Sequence, residues 1–308
     1  MTMKQAIEAY ELLDSARVTG RDVADVLEAR GLEVTTFTVQ GDRGSTDFVR
    51  ARLPGQKPDA PRLGIIGRLG GIGARPEAIG LVSDADGAIT AITAALKLAD
   101  MRRAGDALPG DVIIATHICP HAPTEPHEPV PFMGSPVNIA TMNQHEVSDD
   151  MDAILCIDTT RGNWVINRRG FAISPTVIQG WILKVSPDLL RLMSYVTGQP
   201  PAVFPITMQD ITPYGNGVDH LNSILQPATA TDAPVVGVAL TAEIPVPGCA
   251  TGASQIVDIE AAARFCVEVA KAFTAGHCQF YDKAEFERLV SLYGEMRHLQ
   301  TLGRARSS

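Results

Sequence analysis

His117 and His121 stand four residues apart with Cys119 between them. On a helix that spacing would set both imidazoles on one face, but Pro120 disfavours a helix there. At an extended strand end, positions 117, 119 and 121 share a face by the period of two. In either geometry the two imidazoles can converge. Asp84 and Asp86, in Ser83-Asp84-Ala85-Asp86-Gly87, and Asp158, in Ile157-Asp158-Thr159-Thr160, supply carboxylates. Imidazole and carboxylate together suit zinc and other divalent transition ions, provided each ligating ring has its other nitrogen held by an acceptor.

Each of these residues also has a purely structural reading. His117 can hydrogen-bond within a core, and His121 and His127 can be loop residues held by neighbouring prolines. Asp84 and Asp86 suit a helix N-terminus, where acids stabilise the macrodipole; Asp86 is read that way. Asp158 closes an apolar run, where a carboxylate is costly unless paired, hydrogen-bonded or metal-bound. Thr159, Thr160 or Arg161 could satisfy it without a metal. Cys249, in Pro245-Val246-Pro247-Gly248-Cys249-Ala250-Thr251-Gly252, is a buried small residue, a soft ligand or a nucleophile. The loop Gly67-Arg68-Leu69-Gly70-Gly71-Ile72-Gly73 lacks the GxGxxG spacing of a dinucleotide site. Gly70 and Gly71 are expected to permit an active-site turn at positive φ.

The elements that must position these residues follow from periodicity. Helical spacing runs from Ala6 to Leu13, and Thr19-Gly20-Arg21-Asp22 opens a second helix through Val23, Val26 and Leu27, ended by Gly31. The β-branched stretch Glu33 to Val39 reads as a strand with Phe48 to Leu53 as its hairpin partner. Further strands are expected at Leu63 to Ile66, Asp111 to His117, Ala153 to Asp158 and Val235 to Leu240. Long helices are expected through Ala88 to Met101, with Ser83 and Asp86 as a capping box, and through Ile259 to Phe273. Near-continuous apolar strands between helices give an α/β fold, a three-layer sandwich around a mostly parallel mixed sheet. In such sheets ligands bind beyond the carboxyl ends of the strands, where Asp84, His117 to His121 and Asp158 all fall.

The 308 residues carry 26 basic and 35 acidic side chains, a net charge of −9. That balance argues against nucleic acid or an anionic membrane as partner, since both need clustered Lys and Arg. Apolar residues make up 45% and charged residues 20%, enough to build a sizeable core. No apolar run approaches the roughly 18 residues of a membrane span, and the N-terminus has no signal-peptide pattern. Five cysteines in no CxxC or disulfide arrangement agree with a cytoplasmic setting. A single domain over residues 1–302 with a frayed tail at 303–308 is expected.

The order of these segments resembles the di-metal zinc exopeptidase superfamily, which includes the tetrahedral aminopeptidases and their aminoacylase and carboxypeptidase relatives, in a bacterial branch with an altered metal site. Glu11 to Gly20 with Val23 to Leu32 is similar to that superfamily's first helices, and Phe48 to Gly55 to its early hairpin. Ser83 to Gly87 resembles the bridging-aspartate segment and places that role on Asp84. Ile157-Asp158-Thr159-Thr160 resembles the strand end that supplies another metal carboxylate, and Gly217-Val218-Asp219-His220 a later glycine-aspartate loop. Val235 to Leu240, with Val257-Asp258-Ile259-Glu260-Ala261-Ala262, resembles the last strand, ligand loop and helix. The match runs from about Glu11 to Phe273. Its departures fall on the metal site. Arg68-Leu69-Gly70 stands where the family has His-x-Asp, Thr116-His117-Ile118 where it has paired glutamates, and Gly248 to Thr251 where it has a final histidine. The superfamily's accessory domain has no room at its usual insertion points.

The resemblance implies a divalent-metal hydrolase, zinc first and manganese or cobalt next, with Asp84, His117, Asp158 and His121 as the rebuilt ligand set. The substrate would be an amide bond of a small peptide, N-acyl amino acid or related metabolite. His121, Glu125 or Glu128 would take the proton, and Arg68 or Arg161 would hold a substrate carboxylate. Neighbouring copies of the chain are expected to close the site as a homo-oligomer. Two further readings are kept: a non-catalytic descendant that binds a small metabolite or a partner protein, and a lyase or other metal enzyme without a water nucleophile.

Overall fold

The computed structural model describes residues 2–161, 164–220, 222–246 and 248–303. The elements run α1 (Met3–Leu13), α2 (Gly20–Glu28), β1 (Glu33–Gly41), β2 (Gly44–Leu53), β3 (Leu63–Gly67), α3 (Asp86–Arg103) and β4 (Val112–Ile118). There follow β5 (Thr124–Glu125), β6 (Phe132–Met133), α4 (Ile139–Glu146), β7 (Ala153–Thr159), β8 (Gly170–Ile173), β9 (Val177–Ile178) and β10 (Trp181–Ile182). The last are α5 (Pro187–Thr197), β11 (Val235–Thr241), α6 (Ile256–Thr274) and α7 (Lys283–Tyr293).

Four strands, in the order β4-β3-β7-β11, pair in parallel and form the middle of the main sheet. They are buried throughout, which is why they read as unbroken apolar runs rather than as alternation. The long hairpin β1–β2 adds to β4 antiparallel, and β8 and the short β9–β10 pair add antiparallel at the β11 end. The result is an α/β fold with a mixed sheet whose parallel part lies at its centre.

Helices α1, α3 and α6 pack against one another, and α3 and α6 lie on the sheet. Small and apolar residues of α3 itself, alanine, isoleucine and threonine, occupy nearly every side of the helix, and 13 of its residues are buried, as expected for a helix enclosed between sheet and neighbouring helices. Ile65, Ile66, Ile113, Leu155, Val236 and Val238 join them in one continuous core. On the hairpin side, α2 starts at a capping box in which Thr19 accepts from Asp22 N–H and Asp22 accepts from Thr19 N–H.

Two local expectations need correction. Ser83 and Asp86 do not form a capping box; residues Ser83–Ala85 form a 3₁₀ turn, and the Ser83 hydroxyl donates to the Cys249 carbonyl at 3.1 Å. Gly70 and Gly71 are not at positive φ. What Gly70 supplies is close approach, since a Cβ there would lie 1.6 Å from the His117 carbonyl oxygen. The tail at 304–308 lies outside the described residues. Among the described residues no helix is long and apolar enough to cross a membrane.

Candidate functional site

A cavity of about 360 Å³ opens beyond the carboxyl ends of β3, β7 and β11, where an α/β sheet presents its loops. Asp84, Asp158, Thr160, Arg161, Tyr214, Ser223 and Cys249 are among the residues that face it. Register explains the convergence. Ile157 pairs with Gly67 on one side and Val238 on the other, so Asp158 emerges at the sheet centre beside Arg68 and Ala239. Asp84 reaches the same space from the turn before α3, which is tied down when Asp84 N–H donates to the Cys249 carbonyl at 3.3 Å and Ser83 N–H to that of Thr251 at 2.7 Å.

The two carboxyls differ in how they are held. Asp158 Oδ1 accepts from Thr159 N–H at 2.7 Å, and Oδ2 accepts from the Ser223 hydroxyl at 3.0 Å. Burial nevertheless pushes its pKa up to about 7. Asp84 lies well above the ordinary carboxylate range, first because it is buried and then because Asp158 is close. Its Oδ2 is buried and accepts no hydrogen bond. The Cys249 thiol beside it is pushed up to about 12, by burial and then by Asp84. Tyr214 is likewise raised to about 12, by burial and by Asp158.

Behind the cavity lies a buried network. Arg68 is wholly buried; its Nε donates to Glu146 Oε2 at 2.6 Å and its Nη2 to Asn143 Oδ1 at 2.6 Å. His117 Nδ1 lies 2.7 Å from Glu146 Oε1, and His117 Nε2 is 3.1 Å from Gly70 N–H. Since Gly70 can only donate, Nε2 accepts and Nδ1 carries the proton toward Glu146. Burial alone would raise Glu146, but Arg68 first and then His117 hold its carboxyl below the usual range. A second buried pair stands on the other flank: Arg161 Nη2 is 2.8 Å from Asp86 Oδ2. Burial raises Asp86 to about 6 against the pull of Arg161. Arg68 thus acts on Glu146 and on Asp158, whereas Arg161 acts on Asp86 and Asp258.

The structure thus brings together Asp84 and Asp158 of the expected set and directs the others elsewhere. Both ring nitrogens of His117 are occupied within the protein, leaving no lone pair for an ion. His121 is exposed, with Nε2 2.9 Å from the Ala16 carbonyl oxygen. Glu125 pairs with Arg43 at the surface, and Glu128 is exposed. Arg68 is committed to Glu146 and Asn143, although its Nη1 has no partner. Unexpected from the sequence are Glu146, Asn143, Tyr214 and Ser223. An acid three residues after Asn143 on a short helix was the one local sign of the Glu146 cluster.

Among the described residues no group of three or more His, Cys, Asp or Glu is arranged to hold a metal ion. The buried, unpartnered Asp84 Oδ2 beside Asp158 fits a different arrangement, one hard ion held by one or two carboxylates and completed by substrate or solvent. Positions 68–70 and 116–118 are taken up by the Arg68–Glu146–His117 network.

The chain belongs to the family described as "Protein of unknown function (DUF1177)", whose model matches residues 37–303. A search of curated proteins finds no match. Among solved structures, the bottromycin maturation enzyme BotP in complex with Mn is 14% identical over 89% of this chain and 71% of that one, with a TM-score of 0.54. A leucine aminopeptidase (LAP1) of Caenorhabditis elegans is 12% identical over 90% of this chain, with a TM-score of 0.56. The chain spans 65% of that aminopeptidase. At these identities the likeness shows the shared α/β fold.

Proposed function

We propose that the chain is a metal-dependent hydrolase of an amide bond in a small peptide, N-acyl amino acid or related metabolite, with Asp84 and Asp158 holding a single divalent ion. The observation that carries this reading is the unpartnered Asp84 Oδ2, buried next to Asp158 in a cavity at the carboxyl ends of the parallel strands. Oxygen donors favour an ion of the magnesium or manganese class over zinc. The names of the two structural neighbours, one a maturation enzyme with Mn and the other an aminopeptidase, support hydrolysis and a divalent ion.

When bound, the ion would lower the pKa of a coordinated water and polarise the substrate carbonyl. The chain's own residues do the rest. Ser223 and Thr159 fix the Asp158 carboxylate, and the 3₁₀ turn pinned to Cys249 and Thr251 fixes Asp84. Tyr214, Thr160 and Asn222 line the space where a substrate amide would be oriented, and the Thr160 hydroxyl is itself set by donating to Asn222 Oδ1 at 2.7 Å. Proton transfer is not assigned to His117, His121 or Glu125, for the placements described above.

A panel of dipeptides and N-acyl amino acids tests this reading, assayed with manganese, magnesium, zinc and cobalt and again in chelator. Turnover that needs an ion and disappears in a folded Asp84→Asn variant is expected. No turnover of any substrate with any of the four ions would overturn it.

A second reading is a non-catalytic descendant that binds a small metabolite or a partner protein. It is favoured by the absence of a three-donor group among the described residues. Ligand binding that is unaffected by chelator, with no turnover, would support it.

A further inference from the structure

We propose that the groove between α6, the C-terminal end of α5 and residues 167–170 is a binding site for a compact oxyanion, a carboxylate- or phosphate-bearing metabolite. The groove encloses about 470 Å³, room for a small metabolite, and shares no lining residue with the Asp84–Asp158 cavity. Arg168, Arg169 and Arg264 line it. In a chain with nine more acids than bases, three guanidinium groups on one concave surface run against the overall balance.

None of the three is neutralised in full. Arg168 Nη2 donates to the uncharged Gln199 Oε1 at 2.9 Å, and its guanidinium has no ion-pair partner among the described residues. Arg169 is 66% exposed and lies 3.8 Å from Asp258 Oδ1, a loose pairing. Arg264 Nη2 is 3.2 Å from Glu260, but its Nε is buried and donates to nothing.

Two acids also face the groove. Asp258 is drawn inward, where it accepts from Gly170 N–H and lies in the field of Arg161, and Glu243 sits exposed at the rim. The first turn of α6 contributes Val257 and Asp258 to the same wall, and its Asp258 and Ile259 N–H groups donate to the Gln255 carbonyl. Guanidinium forks match the planar carboxylate and the tetrahedral phosphate bidentately, and this selects an oxyanion over a halide.

Isothermal titration of the full chain with sodium phosphate and, separately, with sodium succinate tests the site, each against sodium chloride at matched ionic strength. Saturable binding with a Kd on the order of 1 mM is expected for at least one anion. Phosphate binding alone identifies a phosphate-bearing ligand, and succinate binding alone a carboxylate. The Arg168→Gln/Arg169→Gln variant should bind about tenfold more weakly, a loss of two charge-assisted contacts. If that double variant fails to fold, Arg169→Gln alone, at an exposed position, should still weaken binding several-fold. No saturable binding of either anion beyond that of chloride, or an affinity unchanged in the variants, would overturn the proposal.

Discussion

Glu146→Gln tests the network that occupies positions 68–70 and 116–118. Glu146 is wholly buried and accepts from Arg68 Nε at 2.6 Å on one oxygen while the other sits 2.7 Å from His117 Nδ1. The amide keeps the shape but removes the carboxylate paired directly with the Arg68 guanidinium, and it sets an NH₂ group against either Arg68 or His117. Removing one partner of a buried pair costs about 3–5 kcal/mol, because the remaining charge has no solvent. Unfolding entropy of roughly 2.1 cal/mol/K per residue converts this, for a chain of 308 residues, to a melting temperature about 5–8 °C lower. The sign with pH is also fixed. The folded carboxyl lies below its ordinary value, so its contribution is complete above about pH 4.5 and is lost as pH falls through the lower folded value. Calorimetric melts of wild type and variant from pH 3 to pH 8 should therefore show a wide gap near neutrality that narrows in acid. A gap of less than about 1 kcal/mol at pH 7, or one that widens in acid, would show that Glu146 does not stabilise the fold through Arg68 and His117.

Gly70→Ala should abolish soluble folded protein or cost more than about 4 kcal/mol, since the new Cβ would lie 1.6 Å from the His117 carbonyl oxygen; soluble yield and melting temperature check it. Thr19→Ala removes the capping-box acceptor of α2 and should cost about 1 kcal/mol in urea unfolding, with the fold unchanged by circular dichroism. In chelator, Asp158 should destabilise the protein as pH rises, because its raised pKa makes its favourable contribution complete below about 4 and lost through about 7. Asp158→Asn should make that slope shallower, with Asp84 and Asp86 supplying what remains, and thermal melts of both proteins in chelator across pH 4–8 read the difference directly.

The scaffold was legible because it is written in local patterns. The apolar runs at Leu63 to Ile66, Ala153 to Asp158 and Val235 to Leu240 are strands enclosed on both faces, and no short-range competitor contradicts them. The strand-end rule then placed Asp84 and Asp158 in one region. The rest depended on contacts that no local window contains. Asn143 and Glu146 matter because α4 packs against β2 and delivers them to Arg68 and His117, pairings 75, 78 and 29 residues apart in sequence. Spacing alone made His117 look like a ligand; its occupancy by Glu146 and Gly70 is a tertiary fact. Ser83 and Asp86 had the form of a capping box, but the tertiary bond from Ser83 to Cys249 prevails over the local one. Tyr214 and Ser223 come from a long irregular stretch between α5 and β11, where periodicity carries no signal.

Asp84 and Asp158 are proposed to hold one divalent ion together. Titration of manganese into chelator-stripped protein, followed calorimetrically, measures it without reference to any substrate. One equivalent bound per chain is expected, with binding abolished in both Asp84→Asn and Asp158→Asn and the stoichiometry retained in a folded His117→Gln variant. Two equivalents per chain, or one equivalent that survives both aspartate substitutions, would contradict it.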